Sequence, residues 1–217
     1  MLTSARIIAT ALFVGATGIA SASIVVNNGL PNQSAGSDMN EFLEADDFTL
    51  AALTNLNLIR FWSLQSSAAD YAGSIDWSIR QDAAGTPGAI SASGLATPVG
   101  VATGNTASGL NEFRYQFAIN ATLGPGNYWL VLHDGLNGTQ PNTQFYWAWS
   151  NDLAGNSQSF DQATVPPGPW QGNSAEMAFQ LEARDAQPAP EPATVFLFGA
   201  GVAALMLRRR GEARRVE

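Results

Sequence analysis

Apolar side chains in the middle of this chain recur at every second position. Ile75, Trp77 and Ile79 alternate with Asp76, Ser78 and Arg80, and Phe113, Tyr115, Phe117 and Ile119 alternate with Arg114, Gln116 and Ala118. Phe145, Trp147 and Trp149 share one face of a further stretch, and Met177, Phe179 and Leu181 share one face of the last. A period of two sends successive side chains to opposite faces of a strand, and no long stretch has the 3.6 period of a helix. Residues 56–64 and 128–133 are more continuously apolar, as central strands buried on both faces require. Shorter candidates at 23–26, 48–50 and 89–93 bring the expected strands to eight or nine.

The punctuation between these runs is glycine, proline and short polar residues. Residues 82–88 read as a hairpin connection and 123–127 as a tight turn entering a strand. Residues 134–138 and 151–156 read as polar loops, and 162–174, with Pro166, Pro167 and Pro169, as a longer one. Asp38 and Glu41 have capping-box spacing, which predicts one short helical turn at 38–43. Many strands with such turns predict an all-β domain over residues 23–186. Its size favours a two-sheet β-sandwich of jelly-roll type.

Composition removes several kinds of chemistry. Cysteine is absent, so disulfides, thiolate zinc sites and cysteine nucleophiles are excluded. Lysine is absent too, which excludes a lysine Schiff base and a phosphate-binding P-loop lysine. Within residues 23–186 four arginines face fifteen acids, a net charge of −11. Such a surface repels nucleic acid and attracts divalent cations.

The two ends read as addresses. Arg6, the apolar run 7–19 and the small residues Ala20 and Ala22 form a signal peptide over 1–22, for the Sec translocon and signal peptidase, with the mature chain starting at Ser23. The apolar run is too short to favour a retained membrane helix. At the other end, residues 187–192 form a proline-rich linker, and 193–207 carry no charge. Fifteen helical residues reach only ~22 Å, so this short transmembrane helix needs its flanks to span the bilayer. Arg208, Arg209 and Arg210 hold the cytoplasmic side and leave the bulk of the chain outside.

Pro190, Glu191 and Pro192 are followed by Ala193 and Thr194, a short apolar segment with Gly199 and Gly201, and the arginine cluster. This order resembles the PEP-CTERM sorting signal of exported bacterial proteins, with 193–217 as its helix and arginine cluster. The resemblance implies transient inner-membrane anchoring and removal of the tail near Pro190–Pro192 by an exosortase. It further implies delivery to the cell envelope or extracellular matrix of a Gram-negative bacterium, alongside exopolysaccharide. An ordinary C-terminal anchor is the alternative, but simple anchoring does not call for Pro190-Glu191-Pro192. The middle also resembles a globular module found in such proteins. The matching pieces are Ala45-Asp46-Asp47-Phe48, Ile59-Arg60-Phe61-Trp62, Gly85-Thr86-Pro87-Gly88, Gly124-Pro125-Gly126-Asn127-Tyr128-Trp129-Leu130 and Trp147-Ala148-Trp149-Ser150. That module brings a shape and no established activity.

Three constellations are candidates for chemistry. Trp62, Trp77 and Trp129 sit in apolar strands and are expected in the core. Trp147, Trp149 and Trp170 are candidates for stacking on sugar rings. Asp46, Asp47, Asp134 and Asp152 flank strand ends and are candidate ligands for one structural calcium, with no other cofactor expected. Glu112 and Glu176 begin strands and are the candidate carboxylate pair of a jelly-roll glycosidase. His133 ends an apolar strand, with no nucleophile-elbow glycine pattern around any serine. The sequence reads best as a non-enzymatic, exosortase-sorted envelope or matrix protein. A lectin-like carbohydrate-binding module and a small glycoside hydrolase are the alternatives.

Overall fold

A computed structural model describes residues 22–136, 139, 144–151, 157–161, 169–173 and 175–184. Ala20, Asp152, the linker and the whole tail, including Pro190, Glu191, Pro192 and Arg208 to Arg210, lie outside the described residues. Among the described residues no helix is long and apolar enough to cross a membrane. They fall within one compact unit, Ala22–Asp185.

The described residues form thirteen strands. In chain order these are β1 (Ala22–Asn27), β2 (Pro31–Asp38), β3 (Phe42–Leu50), β4 (Thr54–Gln65), β5 (Ile75–Asp82), β6 (Pro87–Ala96) and β7 (Val101–Ala107). They continue with β8 (Leu110–Leu123), β9 (Gly126–Asp134), β10 (Phe145–Ser150), β11 (Ser157–Asp161), β12 (Gln171–Asn173) and β13 (Phe179–Arg184). All the ladders are antiparallel and make two sheets, one of them curled into a half-barrel.

The first sheet is built on β4. Its partner β8 runs along one edge from Thr54 opposite Leu123 to Gln65 opposite Asn111, and carries β7 on its far side. The other edge of β4 is shared. β13 takes Leu56 to Phe61 and β10 takes Ser63 to Gln65. Beyond them lie β1 and β2. Ala178 closes this fork, donating to Ala148 O at 2.8 Å and accepting from Trp147 Nε1 at 3.0 Å. The second sheet has the order β12-β11-β3-β9-β5-β6.

Each of the nine expected runs, alternating or continuously apolar, lies wholly or partly in a strand. Four strands were not expected. β2, β7, β11 and β12 carry almost no apolar periodicity, because they are edge or near-edge strands held by backbone pairing. The helical turn expected at 38–43 is instead a tight link between β2 and β3. Asp38 Oδ1 accepts from the N–H groups of Asn40 at 2.8 Å and Glu41 at 3.3 Å, and the chain is already in β3 at Phe42. The capping box occurs elsewhere, with Ser67 and Asp70 on the 3-10 turn Ala68–Asp70.

The main core lies between the sheets, where Phe61 stacks on Tyr115 at 5.3 Å and Trp147 meets Phe179 at 5.9 Å. Trp62, Trp77 and Trp129 are all buried, as expected, yet only Trp77 belongs to this core. Trp62 anchors a second cluster with Leu64, Ala148 and Ala178 on the far face of β4. Trp129 anchors a third with Leu43, Ala45 and Val131, covered by Phe160 and Trp170.

Candidate functional site

Phe48 and Leu50 of β3 point into the main core, while Leu43 and Ala45 belong to the opposite face. Alternation therefore puts Glu44 and Asp46 on the core side. Both are buried, at 2% and 0% exposure. Burial pushes the Glu44 carboxyl up to about 8; Ser159 bonded to it pulls the other way, and the charge of Asp38 adds to the rise. Asp46 is held well above the usual carboxylate range, first by burial and then by Glu176, with the Met177 N–H opposing.

Asn28 organises this second carboxyl. Its Nδ2 lies 2.9 Å from Asp46 Oδ2, 2.6 Å from Glu176 Oε2 and 3.0 Å from Met177 O. Asp46 Oδ2 also accepts from Met177 N, and Oδ1 accepts from Asp47 N at 2.9 Å. Asp47 is half-buried, and burial followed by the charge of Glu176 raises its carboxyl as well. One oxygen from each of Asp46, Asp47 and Glu176 lies within 4.8 Å of the others.

The fold thus joins two of the four aspartates expected to bind metal with a glutamate expected to pair with Glu112. Asp134 stands apart. It is fully buried, and its two oxygens accept from Ala72 N at 3.1 and 3.2 Å. Glu112 accepts instead from Gln33 Nε2 and from Asn105 Nδ2. His133 is fully buried with Nδ1 3.3 Å from Gly135 O, and burial lowers its pKa.

The three candidate tryptophans separate cleanly. Trp147 is fully buried against Phe61 and Phe179 and offers no face to solvent. Trp170 is half-buried, 5.2 Å from Phe160, with the Arg80 guanidinium 5.8 Å from its ring, and serves as a cover over the Trp129 cluster. Trp149 lines a cleft. Its Nε1 donates to Ser37 Oγ at 3.0 Å, and Asn173 Nδ2 donates to the same oxygen at 3.1 Å. The cleft holds about 420 Å3 and is lined by Trp149, Phe42, Glu44, Ser159, Gln171 and Asn173, among others. A larger groove of about 720 Å3 beside Trp77, between β6 and β8, has no titratable lining group.

Glu44 and Glu176 are what sequence reading missed for these sites. Acids at two successive core-facing positions of β3 were a usable signal for Glu44, once Phe48 is taken as core-facing. No local signal ties Glu176 to Asp46.

The family of the PEP-CTERM protein-sorting motif matches residues 188–210. The match runs from Pro188 through Pro190-Glu191-Pro192 and ends on Arg210. No curated protein matches the chain.

Proposed function

We propose, for a chain that carries a PEP-CTERM sorting motif and is therefore exported and processed by an exosortase, that the β domain is a non-catalytic envelope or matrix module associated with exopolysaccharide. One observation carries this reading: the motif at 188–210, with Pro190-Glu191-Pro192, apolar segment and arginines in order. In this scheme Sec export and signal peptidase cleavage after Ala22 come first. The segment 193–207 and Arg208 to Arg210 then halt the chain as a short helix in the inner membrane. Proline cannot continue a helix, and an extended chain is the form that proteases bind, which suits the residue types at 190–192 to the cleavage point. Replacing Arg208 to Arg210 with glutamine, or Glu191→Ala, should block tail removal, read from the mass of the mature C-terminus. A normally processed C-terminus in both variants would sink the scheme.

The domain is read as a jelly-roll type of sandwich, since β3, β4 and β5 pass alternately between the two sheets.

A second reading, carbohydrate binding, has a specific observation in its favour. The Trp149 indole is fixed by Ser37 in a cleft whose other walls carry Glu44, Gln171 and Asn173. An aromatic face flanked by amide and carboxyl groups suits a sugar ring. Co-sedimentation of the full-length chain with the host's exopolysaccharide tests it. Saturable binding lost in Trp149→Ala supports the cleft, and binding unchanged in that variant overturns it.

A further inference from the structure

A carboxyl group on the core side of a strand is costly unless something compensates it. Asp46 is fully buried and Glu176 is 8% exposed, and with Asp47 they bring three carboxylate oxygens within 4.8 Å of one another. Oxygens bound to one calcium at roughly 2.4 Å can lie no more than about 4.8 Å apart, so all three can share a single ion. Asp46 Oδ2 already accepts from Asn28 and Met177, whereas Asp46 Oδ1 accepts from Asp47 N and keeps a second lone pair that an ion can take.

Acids gathered together do not by themselves point to a ligand, but Ser157 adds a separate observation. It is fully buried, and its Oγ has no hydrogen-bond partner. Its direction follows from the β11–β3 register. Ser159 stands opposite Glu44 and contacts both of its carboxyl oxygens, and Gln158 stands opposite Ala45. Alternation returns Ser157 to the Ser159 face. The β11–β3 ladder ends at Gln158 opposite Ala45, so Ser157 is the next residue along β11 on the side where Asp46 follows Ala45 in β3. A buried hydroxyl is thereby aimed at the carboxyl cluster.

From this geometry we infer that Asp46, Asp47, Glu176 and Ser157 form a calcium site. It ties β3 and β11 of one sheet to the segment that leads into β13 of the other. Every donor is oxygen, which selects a hard cation. Magnesium sheds its water reluctantly and wants shorter bonds, so a buried multi-carboxylate site favours calcium. The site is distinct from the Trp149 cleft and independent of sorting.

The test uses the purified full-length chain in detergent, stripped with a chelator and titrated with calcium or magnesium while its thermal midpoint is followed. Terbium is a second probe, excited through tryptophan, because Trp129 stands cross-strand from Asp47. Millimolar calcium should raise the midpoint by several degrees, and terbium should luminesce. Both responses should vanish in Asp47→Asn, which changes only a half-buried member and so spares folding. Ser157→Ala separates ligation from packing. Removing an idle buried hydroxyl would leave the calcium response intact, whereas removing a ligand weakens it. No calcium shift, an undiminished shift in Asp47→Asn, or an equal shift with magnesium would each overturn the assignment.

Discussion

Ser159 Oγ lies 2.9 Å from one carboxyl oxygen of Glu44 and 2.8 Å from the other. A hydroxyl has a single hydrogen, so it can donate to only one of them. Both contacts become hydrogen bonds when Glu44 itself carries a proton and donates to the serine. That reciprocity agrees with a carboxyl pushed up to about 8 by burial.

The pH dependence follows. An unfolded glutamate loses its proton near 4.5, while folded Glu44 keeps its own up to about 8. The folded state therefore holds the extra proton between these values. The stability from this group is complete below the unfolded value and is lost as pH rises through the folded one. With a chelator present, wild type should lose urea midpoint relative to Glu44→Gln as pH rises from about 5 to about 9. The difference is bounded at about 5 kcal/mol. A gap between the two proteins that does not change with pH would refute the assignment.

The two tryptophans of β10 should fail in different ways. Trp147→Ala opens the main core and should cost about 3–5 kcal/mol in urea unfolding. Trp149→Ala removes a partly exposed ring and one hydrogen bond to Ser37, and should cost about 1–2 kcal/mol. Equal losses at the two positions would mean that Trp149 is core and not cleft wall.

Trp170→Ala should uncover the cluster around Trp129. The ring, with Phe160, lies over Leu43, Ala45, Trp129 and Val131. The expected loss is about 1–3 kcal/mol, with Trp129 fluorescence becoming open to acrylamide. Unaltered quenching would show that Phe160 suffices as the cover.

Gly36→Ala tests the closest approach of β2 to β10. A Cβ built at Gly36 would meet Trp147 O at 2.6 Å, and that oxygen belongs to the backbone of a paired strand. It cannot swing aside as a side chain can. The variant should lose about 1–3 kcal/mol and show faster amide exchange along β2. Full stability would mean that the two strands separate without cost.

Legibility in the sequence divides along physical lines. β5, β8 and β13 were readable because one face of each is buried, which writes a period of two into residues such as Ile75, Trp77 and Ile79. β2 was not readable, because Asn32, Gln33 and Ser34 bury no apolar face; β10 beside it supplies the order. Trp147 and Trp149 share a face and look alike in sequence. Their difference is one of position, since Trp147 lies under Phe61 and Phe179 while Trp149 reaches the rim beside Ser37.

What the sequence determined by itself is the all-β character of the domain and the sorting motif at 188–210. Both are local: alternation is legible strand by strand, and the motif is a linear segment. Only the tertiary structure decided which acids meet. Met177 donates its N–H to Asp46 across 131 positions of sequence, and it carries Glu176 beside Asp46 with it. That meeting depends on how two sheets are laid face to face, and no short-range pattern encodes it.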